Sequence, residues 1–280
     1  MAPRKRRLLA SLALILMLLL SACAAPTDTT SARKDGEPVR VSGSGTCLPL
    51  LRILSGEYSD ASVEFVFLPG LHSGGGIKGV ANGDLEVGSV SRELTKDEKA
   101  LGLRYTLLSR DGLVLATHPS VNIPGLTTEQ VRGIYRGDYA NWKQLGGPDL
   151  PITILDRNED ESAKIVLRKF VLGKDLKITP KAVNLYYEPD MIDGLQSTVG
   201  AVGYFSLGYG LSQKLPVNYL QLDGVDASVE NIKNGSYDVI RPLGIVTASD
   251  ASEEINRFVE WASSPAATAI IEKRGFAPAR

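Results

Sequence analysis

The chain has 280 residues, of which 43% are hydrophobic and 22% charged, proportions that are ordinary for a globular protein with a sizeable core. Its 31 basic and 32 acidic side chains give a formal net charge of -1, which argues against nucleic acid as a partner. The two histidines and two cysteines are scattered along the chain, so we expect no metal site and no cofactor. Any anion site must therefore be local, built from backbone N–H groups and one or two side chains.

The first residues have the pattern of a targeting segment. Residues 1–7 are strongly basic, residues 8–20 are apolar, and Leu20-Ser21-Ala22-Cys23 follows. This order predicts a secretory signal peptide over residues 1–22, because the apolar run is shorter than the roughly 20 residues of a membrane-spanning helix. Its ending resembles the bacterial lipobox, in which the cysteine receives fatty acyl chains such as palmitate. The alternative is an ordinary cleaved signal with a chance cysteine.

A lipidated Cys23 predicts attachment to a membrane at the cell envelope, on its periplasmic or extracellular face. Residues 24–38 are small and polar, so residues 23–38 are interpreted as the lipidated cysteine and a flexible tether.

From residue 39 onward the chain alternates short apolar strands with helices, which predicts an α/β fold with a mostly parallel sheet. The first half has strands at Val39–Val41, Val63–Leu68, Leu85–Ser89 and Gly112–Thr117, and helices ending near Leu54, Asn82 and Leu101. The second half has strands at Ile152–Leu155, Val202–Phe205 and Ile245–Thr247, and helices at Thr127–Tyr135, Ser162–Leu172, Val229–Asn234, Glu253–Ala262 and Pro265–Lys273.

Two glycine-containing loops each join a strand to a helix. Ser42–Cys47 precedes the first helix, and His72–Ile77 opens the second with three glycines in a row. Glycines let the backbone approach a ligand closely, and a helix start presents unpaired N–H groups that suit an anion. In open α/β sheets ligands gather at the carboxyl ends of strands, so two such loops on successive units predict an anion site.

Two further segments follow predicted strands and carry polar side chains. In Gly88–Arg92, Ser91 could donate to an oxyanion, whereas Arg92 could do so or pair with Glu93 or Asp97. In Asp156–Ser162, a lone arginine, Arg157, could clamp an oxyanion through two N–H groups or form a surface salt bridge with the acids around it. Ser162 is interpreted as the N-cap of the next helix.

Taken in order, these segments resemble the phosphate-binding proteins of bacterial phosphate ABC transporters over residues 37–280. The matching stretches include Ser42–Pro49, Ser73–Leu94, Asp111–Val114, Leu126–Tyr135, Leu145–Asp149, Gly200–Gly208, Asn231–Leu243 and Glu272–Phe276. The resemblance implies a two-lobed periplasmic-binding-protein (type II) fold with a two-strand hinge, lobe I being residues 39–113 plus 243–280 and lobe II residues 114–242. It also implies an ABC transporter permease as partner, and an oxyanion, phosphate, held between the lobes.

Carried over by position, the resemblance implies a ligand site made of Gly45, Thr46, Cys47, Ser73, Gly74, Ser91, Arg157 and Ser162. One departure matters. After the arginine the family shows Gly-Ser-Gly-Thr, and this chain has Asp160-Glu161-Ser162-Ala163. An ionised Glu161 beside phosphate would be repulsive. Either it turns away and Ser162 supplies the hydroxyl, or a protonated ligand oxygen donates to it, or the ligand is not phosphate.

Three function classes follow. We expect a lipid-anchored solute-binding protein that captures an oxyanion. An enzyme is disfavoured because a phosphatase would show metal ligands or a nucleophile with a base, whereas the two histidines lie far apart in the sequence and no Gly-x-Ser-x-Gly elbow occurs. A lipid-anchored sensing or adhesion module of the same fold, with a different ligand or none, is the alternative that Glu161 favours. Cys47 at a helix start is either an activated thiol or a small, half-buried residue whose N–H matters.

Overall fold

The computed structural model describes residues 37–279. The predicted signal peptide, the lipid site at Cys23 and nearly all of the tether lie outside these residues. Within the described part of the chain, no helix is both long enough and apolar enough to cross a membrane.

The first third of the described chain contains three strands and three helices, in the order that the sequence predicts. They are β1 (Val39–Gly43), α1 (Leu48–Glu57), β2 (Phe65–Phe67), α2 (His72–Ala81), β3 (Val87–Val90) and α3 (Lys96–Lys99). The helix α3 begins at the capping box expected from its sequence, because the Thr95 hydroxyl accepts a bond from the Glu98 amide and the Glu98 carboxylate accepts one from the Thr95 amide.

The middle begins with the long strand β4 (Arg104–Thr117), of which the sequence indicates only the apolar second half. The elements after it are β5 (Gly125–Leu126), α4 (Thr128–Arg136), a 3-10 turn (Trp142–Leu145), β6 (Thr153–Arg157), α5 (Ser162–Leu167), a π-helical turn (Arg168–Leu172), β7 (Val183–Leu185), α6 (Glu188–Ser197), β8 (Ala201–Ser206), α7 (Leu207–Gln213), β9 (Asn218–Tyr219), β10 (Gln221–Leu222) and α8 (Val229–Lys233). The sequence does not predict α6 or α7, because Gly194 lies inside the first and Gly208 and Gly210 inside the second.

The chain closes with β11 (Ile240–Thr247), α9 (Glu253–Ala262), α10 (Pro265–Lys273) and β12 (Ala277–Pro278). The main sheet has the strand order β2-β1-β3-β11-β4-β8-β6-β7, with β9 and β12 added beside β4. Pairs at its two ends are parallel, whereas β3/β11, β11/β4 and β4/β8 are antiparallel. The expectation of a mostly parallel sheet is therefore wrong for the middle of the sheet. There the long strands β4 and β11 run antiparallel to each other and connect the two parallel ends.

Buried side chains form separate cores on the two sides of these long strands. One core is drawn from residues 113–239 with Ala277, and the other two from residues 39–108 and 243–276. We use lobe II for the first side and lobe I for the second. The residue boundaries given above for the lobes stay a prediction.

A buried ion pair fixes the end of β6, from which Arg157 projects. Lys164 Nζ, fully buried on α5, lies 2.5 Å from Asp156 Oδ2. The Tyr204 hydroxyl donates to the other Asp156 oxygen at 2.9 Å and accepts a bond from the Arg157 amide at 3.1 Å. This network ties β6, β8 and α5 together directly beneath the cleft described below.

We predict that Lys164→Ala lowers the free energy of unfolding by about 3–5 kcal/mol, because it leaves the Asp156 carboxylate buried without its counter-charge. Urea unfolding followed by circular dichroism measures the change. Lys143→Ala is the matched control, since Lys143 pairs with Asp149 at 3.4 Å on the surface and should cost at most about 1 kcal/mol. Equal effects of the two substitutions would contradict this account of β6.

Candidate functional site

A cleft of about 290 Å³ lies between the two lobes. Lobe I lines it with the turn after β1 and the start of α2, and lobe II with the starts of α5 and α6. The lining residues are Ser44, Gly45, Thr46, Leu48, Gly70, His72, Ser73, Gly74, Arg92, Arg157, Asp160, Glu161, Ser162, Ile165, Tyr187, Glu188 and Pro189.

The shape of the turn after β1 is set by the hydrogen bonds that start α1. The amides of Cys47 and Leu48 donate to the Ser44 carbonyl at 3.1 and 3.0 Å, which closes the first turn of the chain around that oxygen. Gly45 and Thr46, both predicted site residues, are thereby left facing the cleft. The Thr46 hydroxyl reaches across to lobe II and donates to Glu188 Oε2 at 2.7 Å.

The start of α2 brings Ser73 and Gly74 into the cleft. Their amides lie in the first turn of the helix, where N–H groups have no acceptor within the helix and the helix dipole favours an anion. The following Gly76 is needed for packing, since a Cβ there would stand 2.8 Å from the Gly43 Cα. The Ser73 hydroxyl accepts a bond from the Ser91 amide at 3.1 Å, which links this helix start to the loop after β3.

Ser91 lies under the cleft and is fully buried. Its hydroxyl accepts a bond from Ser44 at 2.7 Å and donates to the Ser162 hydroxyl at 2.9 Å, while Ser162 donates to the Ser91 carbonyl at 2.9 Å. Three serines thus form a chain of hydroxyls that runs from lobe I to lobe II. The structure brings Ser91 to the site as a link between the lobes and not as part of the cleft lining.

Arg157 ends β6 with its side chain 4% exposed. Its Nη2 donates to Glu161 Oε2 at 2.8 Å and to the Tyr186 carbonyl at 3.0 Å. Its Nε and Nη1 are buried and find no hydrogen-bond partner among residues 37–279. Buried donors without partners are costly, so a cleft-lining guanidinium with two of them is suited to an anion that brings acceptor oxygens.

Glu161 faces the cleft, with a side chain that is 12% exposed. Its second oxygen, Oε1, lies 3.0 Å from His72 Nδ1 of lobe I. Of the three alternatives left open by the sequence, the one in which this carboxylate turns away from the cleft is therefore wrong. Ser162 is also not the N-cap of α5, because Glu161 takes that position and Ser162 is the first helical residue, which leaves its hydroxyl free to bond Ser91.

Two other sequence interpretations need correction. Cys47 lies outside the cleft lining, fully buried, with its Sγ 3.5 Å from the Gly244 carbonyl and its amide used within the turn. Burial raises the pKa of its thiol to about 12, so it is neutral and not an activated nucleophile. Arg92 lines the cleft but pairs with Glu98, at 2.7 Å, and not with Glu93 or Asp97 side chains. The hydrogen bond from Arg92 lowers the pKa of the Glu98 carboxyl to about 2.

Sequence reasoning does not assign five polar residues of the cleft lining to the site, although the loops that contain the first three are singled out. These residues are Ser44, His72, Asp160, Tyr187 and Glu188. Glu188 opens α6, which has no glycine-rich loop before it and no clear helical pattern. Across residues 37–279, no group of three or more His, Cys, Asp and Glu side chains is arranged to hold a metal.

Comparisons with known proteins identify the family of the chain. The PBP superfamily domain matches residues 24–266. The phosphate-binding protein PstS of Borreliella burgdorferi is 27% identical over 247 residues, covering 85% of this chain and 88% of that protein. PstS of Bacillus subtilis is 22% identical, covering 94% of this chain and 90% of that protein.

Solved structures extend the likeness to the fold. A Clostridium perfringens chain, described as a phosphate ABC transporter substrate-binding protein with bound phosphate, has a TM-score of 0.79 and 28% identity, covering 87% of this chain and 100% of its own. An ABC-type phosphate transport receptor from Vibrio cholerae has a TM-score of 0.65 and 26% identity, covering 85% of this chain and 99% of its own.

The two-lobed α/β fold expected from the sequence is thereby confirmed. The matched relatives are binding proteins of transport systems, so the prediction of a protein that is not an enzyme is also confirmed. The chain belongs to the PBP superfamily, and its resemblance to the phosphate-binding proteins is confirmed.

Proposed function

We propose that the protein captures an inorganic oxyanion, phosphate, between its lobes and delivers it to the permease of an ABC importer. The observation that carries the proposal is Arg157, which lines the cleft and whose buried Nε and Nη1 donors find no partner among residues 37–279. The guanidinium fork matches the oxygens of a tetrahedral anion, and the α2 start, with Ser73 and Gly74, faces it from lobe I.

The carboxylates of the cleft narrow the choice of anion. Glu161 and Glu188 line the same space as Arg157, so a ligand with acceptor oxygens alone would meet repulsion. Phosphate at neutral pH always carries at least one proton and can donate a hydrogen bond to a carboxylate. Sulfate carries none, so we infer that phosphate is preferred.

The alternative is a binding or sensing module of the same fold with a different ligand or none. Glu161 supports this alternative, because its carboxylate already accepts a hydrogen bond from Arg157 Nη2 at a place where an anionic ligand would bind. Both functions place the protein at the cell envelope, attached through lipid on Cys23 and tethered by residues 23–38. The proposed lobes remain residues 39–113 plus 243–280 and residues 114–242.

We predict that Arg157→Lys weakens phosphate binding by at least about a hundredfold, because lysine keeps the charge but loses the planar fork of donors. Isothermal titration calorimetry measures the affinity, and thermal unfolding checks that the variant stays folded. Arg136→Ala is the control, since Arg136 pairs with Glu129 and Asp138 on the exposed end of α4. An unchanged affinity of Arg157→Lys would remove Arg157 from the site.

We predict that Glu161→Gln raises sulfate affinity relative to phosphate affinity by about tenfold or more. A unit charge pair 4 Å apart repels by about 4 kcal/mol at an effective dielectric of 20, and the amide removes that repulsion. Competition titrations of both anions at neutral pH measure the ratio. Asp160→Asn, which neutralises an exposed carboxylate of the same lining, is the matched control. A constant ratio in Glu161→Gln would show that Glu161 does not select the ligand.

For the anchor, we predict that Cys23→Ser prevents lipid attachment and yields uncleaved precursor or released protein, because the hydroxyl cannot form the thioether to the lipid. Cell fractionation and mass spectrometry of the variant and the wild type measure this. An unmodified Cys23 in the mature wild-type protein would refute the anchor.

A further inference from the structure

Glu188 touches both lobes from the first position of α6. Its Oε2 accepts the Thr46 hydroxyl of lobe I at 2.7 Å, and its Oε1 accepts the Ser206 amide of lobe II at 2.9 Å. The side chain is 11% exposed and lines the cleft. The contact with Thr46 exists only while the lobes are together, whereas the contact with Ser206 lies within lobe II.

A buried ion pair stands behind Glu188, in the two strands that connect the lobes. Arg241 of β11 and Asp111 of β4 are register partners, and Arg241 Nε donates to Asp111 Oδ2 at 3.1 Å. Both side chains are fully buried. Burial raises the pKa of the Asp111 carboxyl to about 6, and Arg241 opposes that rise.

The pair with Asp111 does not supply hydrogen-bond acceptors for all the N–H groups of Arg241. Arg241 Nη1 and Nη2 are buried and have no hydrogen-bond partner in the described chain, although Nη2 lies 3.1 Å from Asp111 Oδ2. The nearest further carboxylate is Glu188, whose Oε1 lies 3.7 Å from Nη2, too far for a hydrogen bond. A small movement of the Glu188 carboxylate toward β11 would satisfy a donor whose burial is otherwise costly.

We propose that Glu188 is a positioning residue that couples closure of the cleft to the hinge strands. With the lobes together its carboxylate is held by Thr46, and when Thr46 withdraws with lobe I the same carboxylate moves onto the free N–H groups of Arg241. The open form then satisfies the hinge arginine and the closed form does not. The closed form is consequently less stable than the open form without ligand. A ligand shifts the equilibrium toward closure because it makes contacts with both lobes only in the closed form.

The inference rests on the proposed function in one respect, namely that the lobes open and close around a ligand. It does not depend on which anion binds. Its test therefore measures the separation of the lobes before any anion is added.

The experiment uses the full mature chain with Cys23→Ser, which leaves the buried Cys47 as the native thiol. Spin labels at Lys99→Cys in lobe I and Lys174→Cys in lobe II, both exposed positions, report the distance between the lobes by double electron–electron resonance. Glu188→Gln keeps one acceptor oxygen for the Ser206 amide and can donate its own N–H to the Thr46 hydroxyl, but it loses the charge that Arg241 attracts. We expect its ligand-free ratio of closed to open forms to rise at least about tenfold, as the loss of one charge-assisted hydrogen bond from the open form implies.

Thr46→Val tests the contact made in the closed form. It removes the hydroxyl that donates to Glu188 when the lobes are together and leaves Arg241 in place. Without ligand, this variant should have a lower ratio of closed to open forms than the labelled wild type. Asp193→Asn is the control for charge, because it removes an exposed carboxylate of the same helix outside the cleft lining. A ligand-free ratio in Glu188→Gln that is unchanged, shifted toward open, or matched by Asp193→Asn would overturn the proposal.

The outcome is separable from that of the proposed function. If the wild type does not respond to phosphate but Glu188→Gln still closes without ligand, the anion is misassigned and the coupling through Glu188 stands. If phosphate closes the wild type and Glu188→Gln behaves like it, the ligand is correct and the coupling is refuted.

Discussion

The site depends on burying one permanent positive charge. The Arg157 guanidinium is 4% exposed, and Glu161 supplies its counter-charge. Such burial is costly unless every donor is satisfied, yet two of its donors have no partner within the part of the chain that the structure describes. The chain holds this arrangement by fixing the end of β6 through the Asp156–Lys164 pair and the Tyr204 hydroxyl. The folded protein therefore already bears the cost of burying these unpaired donors before ligand binds. An anion whose oxygens accept hydrogen bonds from them removes that cost.

Affinity in this cleft does not come from a simple excess of positive charge. Arg157 and Arg92 face Asp160, Glu161 and Glu188 across the same space, and Arg92 is already bound to Glu98. Hydroxyls supply much of the remaining polarity, and several of them already bond across the lobes. A ligand that fits must therefore both accept and donate hydrogen bonds, which is how selectivity among anions of equal charge arises.

The sequence predicts the features that depend on local physics. Strand-to-helix turns with glycine, such as Gly45 and Gly74, mark ligand-facing loops because a sheet gathers its strand ends at one edge. The sequence does not predict contacts between residues that are far apart in the chain. Thr46 meets Glu188 across 142 positions, and Ser91 meets Ser162 across 71, only after the lobes come together. The antiparallel middle of the sheet was missed for the same reason, since strand direction follows from chain topology.

Calorimetric titration of the wild-type mature chain with phosphate at neutral pH decides whether this cleft binds phosphate. We expect saturable binding of one phosphate per chain and weaker binding of sulfate under the same conditions. Absence of binding by either anion at millimolar concentration would contradict this expectation and would favour a different ligand or a non-transport role for the same fold.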